Sequence, residues 1–299
     1  MSSEAFKRNL RIIKRKKWPI ILFAVVIVSL IASPVVRNAV LKQKRFSEKA
    51  PVALSDGFVK TTERQKINLI ANRGFSCQAP ENTIPAVEMA GLYGFDTVKI
   101  DVRPTEDGVW IVLNDDKLDT ITDKKGYVSG KTYYDIVACN IIKGANHKDY
   151  DELKIPTLEH LLKSCLEQNI KPMIEIKDCN EENIDSLLEI IDKNGFTKSC
   201  SVASYDRNVL EMIQKRNALI KLYKLVEALN SKEMKAALDN PETGICFNAE
   251  KRINTEAKIK KLQNSGISII CRTVDDIETV QKYFKLGITD FVTNKIFDK

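Results

Sequence analysis

From Ile67 to Thr293 the chain repeats one unit: a short apolar run, a turn, and a segment with apolar residues at helical spacing. The strand-like runs are Ile67–Ala71, Thr97–Asp101, Pro172–Lys177, Cys200–Ser204, Ile220–Leu225, Gly244–Asn248, Ile267–Arg272 and Asp290–Thr293. Helical patterns fall between them at Ile84–Tyr93, Leu158–Asn169, Glu181–Asn194, Arg207–Arg216, Ser231–Leu238, Thr255–Asn264 and Ile277–Lys285. Strands that alternate with helices pair in parallel, and eight of them predict a closed (β/α)8 barrel. A doubly wound sheet would normally carry a Gly-rich phosphate turn after its first strand, and none is present.

In such a barrel the chemistry gathers where the strands end. The stretch Leu69 to Asp115 places polar groups there repeatedly: Asn72-Arg73-Gly74 after the first strand, Lys99-Ile100-Asp101 on the second, and Asn114-Asp115 after a further apolar run, Val109–Leu113. Side chains two apart on a strand share a face. Lys99 and Asp101 therefore point one way, with Val98 and Ile100 opposite. Glu175 and Lys177 pair in the same manner against Ile174 and Ile176. Charged pairs within alternating barrel strands belong in the lumen or at its mouth, not scattered over the surface.

These residues resemble the glycerophosphodiester phosphodiesterase family. That family reads His-Arg-Gly, Pro-Glu-Asn-Thr, Glu-x-Asp, Asp-Gly and His-Asp in this order. Here the corresponding stretches are Asn72-Arg73-Gly74, Pro80-Glu81-Asn82-Thr83, Lys99-Ile100-Asp101, Asp107-Gly108 and Asn114-Asp115. Later matches are Ile155-Pro156-Thr157-Leu158-Glu159, with Thr157 expected as a helix N-cap, and Ile174-Glu175-Ile176-Lys177. The likeness runs from Ile67 to about Phe297. It implies a TIM barrel with a small insertion after the second strand, about residues 109–154.

The resemblance also implies a chemistry. Phosphodiester cleavage needs charge neutralised on the phosphoryl oxygens, a nucleophile deprotonated and a leaving alkoxide protonated. The family uses a divalent cation, Ca2+ or Mg2+, and two histidines. Carried over by position, Asp101 and Glu175 are metal ligands, and Arg73 and Lys177 hold phosphate. Both family histidines are asparagines here, Asn72 and Asn114, and asparagine does not exchange protons near neutral pH. The third metal ligand is Lys99. Its ammonium is expected to stand in for the cation, so that no metal or other cofactor is bound. Arg272 replaces a family aromatic and either joins an anion pocket or pairs with Asp275 or Asp290. Of two histidines in the chain, His160 falls on an outer helix, and His147 in the insertion is the only other source of a titrating imidazole.

The net charge of +7 is unevenly spread. Residues 1–50 carry 12 Lys and Arg against 2 Asp and Glu, which leaves −3 for the rest. An acidic domain argues against a nucleic-acid partner. Trp18–Val36 holds 19 residues without a charge, close to the ~20 that cross a bilayer as a helix. The basic flank upstream sets the expected topology: a cytoplasmic tail (1–17), one uncleaved transmembrane helix (18–36), a stalk (37–66) and an extracytoplasmic domain (67–299). Seven cysteines lack C-x-x-C spacing, so no zinc site is indicated.

Three functional readings follow. The first is a membrane-anchored, catalytically impaired family member that binds a phosphodiester, a phospholipid headgroup or an envelope polymer. The second is an active diester hydrolase with rewired acid and base groups, His147 among the candidates. The third is a structural domain that binds an unidentified protein.

Overall fold

A computed structural model describes residues 67–296. Its strands are β1 (Asn68–Asn72), β2 (Thr97–Pro104), β3 (Trp110–Val112), β4 (Lys171–Ile176), β5 (Ser201–Ser204), β6 (Lys221–Val226), β7 (Gly244–Asn248), β8 (Ile269–Arg272) and β9 (Asp290–Thr293). Each strand apart from β3 pairs in parallel with the next, and β1 pairs with both β2 and β9, which closes an eight-stranded barrel. The eight strand-like runs read from the sequence correspond to these eight. Helices α1 (Ile84–Leu92), α3 (Leu158–Glu167), α4 (Glu181–Lys193), α5 (Arg207–Arg216), α6 (Ser231–Asp239), α7 (Glu256–Asn264) and α8 (Ile277–Lys285) follow the seven helical patterns. Most begin at a side chain that accepts a first-turn N–H, as polar N-caps do. Thr83, Thr157, Asn180, Asp206, Asn230 and Asp276 fill that role.

The lumen is sealed by Ile70, Met173, Ala203, Tyr223, Leu225, Cys246, Ile270 and Val292. Because a strand repeats every two residues, the residue two further along each strand stands one layer higher. That step lands on Asn72, Glu175, Tyr205, Glu227, Asn248, Arg272 and Asn294. The polar mouth is thus the next layer of the ladder whose lower layer is the apolar plug.

The run ending on Asn114-Asp115 lies in the segment read as an insertion after the second strand, and it supplies a hairpin strand rather than a barrel strand. β3 is antiparallel to β2, with Val102 opposite Val112 and Pro104 opposite Trp110. The connection through Glu106-Asp107-Gly108 is too short for a crossover helix, so only a hairpin can form. The chain then builds a satellite core of Leu113, Leu118, Val128, Ile136, Cys139 and Ile155 under the short helix α2 (Tyr133–Val137). Among the described residues no helix is long and apolar enough to cross a membrane. The tail (1–17), the expected membrane helix (18–36) and the stalk (37–66) lie outside the described residues.

Candidate functional site

Arg73 leaves β1 with a positive φ of 59° and Gly74 follows at 79°. A Cβ on Gly74 would come within 2.5 Å of the Ala86 Cβ, so α1 can approach only a glycine. This bend is pinned from both sides: the Arg73 N–H donates to Lys99 O (2.6 Å) and the Asn82 N–H to Arg73 O (2.8 Å). The guanidinium is thereby aimed across the mouth. Nη1 donates to both Glu81 oxygens (2.8 and 2.9 Å). Nε lies 3.0 Å from Asp101 Oδ2 but without a hydrogen bond's alignment, so that contact is one of charge alone.

Below it sits a buried ionic cluster. Lys99, Asp101 and Glu175 are 4%, 0% and 4% exposed. Lys99 Nζ donates to Asp101 Oδ1 (2.6 Å) and also meets Glu175 Oε2. Asn82 Nδ2 donates to Asp101 Oδ2 (3.0 Å), and Lys177 Nζ donates to Glu175 Oε1 (2.7 Å). Burial works against the charge on Lys99, but Asp101 and Glu175 outweigh it and its pKa is raised. Burial likewise opposes ionised Asp101. Lys99, Arg73 and Lys177 prevail and hold it well below the usual carboxylate range.

Asn72 ends β1, beside β2, and Asn114 stands two residues past the end of β3, which also pairs with β2. Asn72 is opposite Lys99 in register, and its Nδ2 donates to Asn294 Oδ1 (2.9 Å). Asn294 is held in turn by Asp275 (Nδ2 to Oδ2, 2.7 Å). Asn114 donates from Nδ2 to Asp115 Oδ1 (2.6 Å), while its backbone oxygen accepts from Arg103 Nη2 (2.7 Å). Asn114 Oδ1 is buried without a hydrogen-bond partner. His160 is exposed on α3. His147 stands on a turn that leans on the loop after β1: Asn146 Nδ2 donates to Gln78 O (2.9 Å), and a Cβ on Gly144 would lie 2.9 Å from Pro80.

The facing side of the mouth carries a second network. Arg272 Nη2 donates to Glu227 Oε1 (2.9 Å) and meets the Tyr205 hydroxyl. Tyr205 Oη and Asn248 Nδ2 also donate to Glu227 (2.5 and 3.1 Å). The Tyr205 hydrogen bond, with those from Arg272 and Asn248, draws the Glu227 carboxyl down to about 2 against its desolvation. Arg272 therefore pairs with Glu227, whereas Asp275 serves Asn294 and Asp290 accepts from Asn68 (2.9 Å). Arg272 Nε is buried and has no partner. At the ends of β4 and β5, beside α5, a cleft of about 360 Å³ is lined by Ile176, Lys177, Asp178, Ser204, Tyr205 and Val209.

The structure thus gathers Arg73, Lys99, Asp101, Glu175 and Lys177 into one network and puts Arg272 in another. Glu81 and Asn82 are working parts that the sequence reading left without a role, although both lie inside the quoted Pro-Glu-Asn-Thr stretch. Tyr205, Glu227 and Asn248 also went unassigned; they stand two residues past Ala203, Leu225 and Cys246 of the lumen plug, which the closed barrel defines.

The donor set does not fit a divalent cation. The gap between Asp101 and Glu175 holds the Lys99 ammonium, and each of their four carboxylate oxygens already faces a nitrogen of Lys99, Arg73, Asn82 or Lys177. Among the described residues no cluster of three His, Cys, Asp or Glu side chains could hold a metal.

Residues 73–297 match the glycerophosphoryl diester phosphodiesterase family. The chain is 35% identical to human glycerophosphodiester phosphodiesterase 1 over 117 residues, 38% of this chain and 35% of the human protein. The match thus spans about a third of that relative's length. A Bacillus subtilis glycerophosphodiester phosphodiesterase is 25% identical over 248 residues, covering 77% of this chain and 84% of that one. Among solved structures, an Oleispira antarctica phosphodiesterase in complex with the product sn-glycerol-3-phosphate superposes with a TM-score of 0.70 at 22% identity, covering 78% of this chain and 95% of that one. The Thermotoga maritima glycerophosphodiester phosphodiesterase gives a TM-score of 0.60 at 21% identity, covering 76% and 94%. At these identities the superpositions establish the barrel fold.

Proposed function

Because this chain belongs to the glycerophosphoryl diester phosphodiesterase family, we propose that its barrel mouth binds a phosphodiester or phospholipid-type headgroup and does not cleave it at an enzymatic rate. One observation carries the reading. The two positions that should move protons hold Asn72 and Asn114, each with its amide nitrogen engaged in a neighbour's side chain. Loss of one acid or base typically costs about 10²–10⁴ in rate, and here both are replaced.

Binding is supported by the charges that remain. Arg73, Lys99 and Lys177 set three cations among the carboxylates of Asp101, Glu175 and Glu81, so the network is balanced and its cations stay charged. Arg73 and Lys177 are the partly exposed members, at 28% and 21% of their side chains, and are the anion donors in this reading. Lys177 also lines the cleft. Arg272, held by Glu227 and the Tyr205 hydroxyl, supplies a third cation at the facing rim. Arginine forks and lysine ammonium groups are the usual partners of phosphate oxygens.

The same reading places the domain outside a membrane, anchored through residues 18–36 with the basic tail inside. Protease accessibility of the domain in intact cells tests that topology.

A calorimetric titration of the full-length chain with a glycerophosphodiester and with the matching phosphate monoester tests the binding. Saturable heat for the diester, lost in Arg73→Met and Lys177→Met, is expected. No heat from either ligand, nor from a short-chain phospholipid, would overturn the reading in favour of a protein-binding barrel.

A further inference from the structure

The cluster beneath Arg73 suggests more than a site that has lost a ligand. Lys99 shares its register with Met173 of the apolar plug, one layer below Glu175, so its stem carries the charge upward through the lumen to the carboxylates. Long aliphatic stems serve this purpose elsewhere, crossing apolar surface to set a charge where it is compensated. The ammonium ends between Asp101 and Glu175, where a divalent ion bridging the two carboxylates would have to sit. We propose that Lys99 is a tethered substitute for such an ion and that this mouth takes no divalent metal.

Three features favour that over an incidental ion pair. The side chain is 5% exposed, so the ammonium cannot swing into water to make room. Displacing it would strand a buried charge, which is strongly unfavourable. Arg73 and Lys177 hold the outward oxygens of the same carboxylates, so neither carboxylate keeps an oxygen free for an arriving cation. Asp101 is moreover locked by Asn82, which donates to its Oδ2 and accepts from its backbone N–H (3.1 Å), leaving it no freedom to turn toward an ion elsewhere. The inference goes beyond the headgroup reading and does not depend on it, because it rests on the contacts of Lys99 with Asp101 and Glu175 alone.

Thermal unfolding of the full-length chain in EDTA and in millimolar calcium, magnesium or manganese tests it. The wild-type midpoint is expected to be the same in all four. Lys99→Glu supplies a third carboxylate and should gain a midpoint rise of several degrees with cation, reversed by EDTA. Lys99→Met, which removes the ammonium without adding a ligand, should not acquire a rise of that size. Should Lys99→Glu fail to fold, calorimetric titration of the wild type with calcium decides by itself. No saturable heat supports the proposal. Saturable heat that disappears in Glu175→Gln overturns it, as would a cation-dependent rise in the wild-type midpoint that Glu175→Gln removes.

Discussion

On the β1–β2–β4 side of the mouth, Asp101 is fully buried and Lys99 and Glu175 are nearly so. On the β5–β8 side the Arg272 side chain is 14% exposed, but its partners Glu227 and Tyr205 are 57% and 44% exposed, although the three contact one another as closely. The two networks sit on the same layer of one ladder and use the same chemistry. What separates them is water. An ion pair at the surface is screened and contributes about 0–1 kcal/mol. Removing one partner of a buried pair strands the other and costs about 3–5 kcal/mol. The buried side is therefore a structural keystone with fixed charges, and the exposed side is an adjustable rim.

The largest effect should come from Lys99→Met. Loss of about 3–5 kcal/mol is expected, which in a domain of this size lowers the unfolding midpoint on the order of 10 °C. A drop of only a degree or two would mean the buried network is no more costly to break than the rim, and the contrast would fail. Arg272→Met should do the reverse. Its midpoint stays within a few degrees of wild type, but diester affinity falls roughly 10- to 100-fold if its guanidinium reaches a phosphate oxygen. Titration calorimetry beside a melting curve separates the two effects.

Acid sharpens the comparison further. Glu227 is drawn to about 2 in the folded chain, below its value when unfolded. The unfolded state then takes up the extra proton, so stability rises with pH in this range. The Glu227 contribution is complete above the ordinary glutamate pKa and is lost as pH falls toward about 2. Melting curves of wild type and Glu227→Gln should converge over that window. Parallel curves would mean that the rim network contributes nothing to folding. The smallest effect is expected for Tyr205→Phe, which removes one donor from an exposed carboxylate that keeps two others. Its midpoint should stay within about 2 °C of wild type, as for a surface change of a few tenths of a kcal/mol.

The buried side was the legible side, and for a physical reason. Lys99 with Asp101, and Glu175 with Lys177, are neighbours on one strand face, so the two-residue period reveals each pair without knowledge of the fold. Cross-strand register then joins them, Asp101 opposite Glu175. On the exposed side, Tyr205 and Glu227 each fall one residue beyond a strand end. Their meeting with Arg272 depends on the closure of the barrel, which no local pattern records. Asn294 reaches Asn72 by the same route, through the pairing of the last strand with the first. The β2–β3 hairpin was within reach of sequence reasoning, since the Glu106–Gly108 turn is too short for any other connection. The single-turn elements of the insertion were not, because their positions follow from the satellite core rather than from periodicity.

The central claim is that this mouth holds a phosphodiester without the groups that would cut it. The most direct test is hydrolysis of bis-p-nitrophenyl phosphate and of a glycerophosphodiester, with millimolar calcium or magnesium, by wild type and by the triple variant Asn72→His, Lys99→Glu, Asn114→His. The account predicts no wild-type turnover above background and at least 10²-fold faster hydrolysis by the triple variant, about the return of one acid–base group. Metal-dependent wild-type hydrolysis with an enzyme's typical turnover, about 1 s⁻¹ or more, would contradict it.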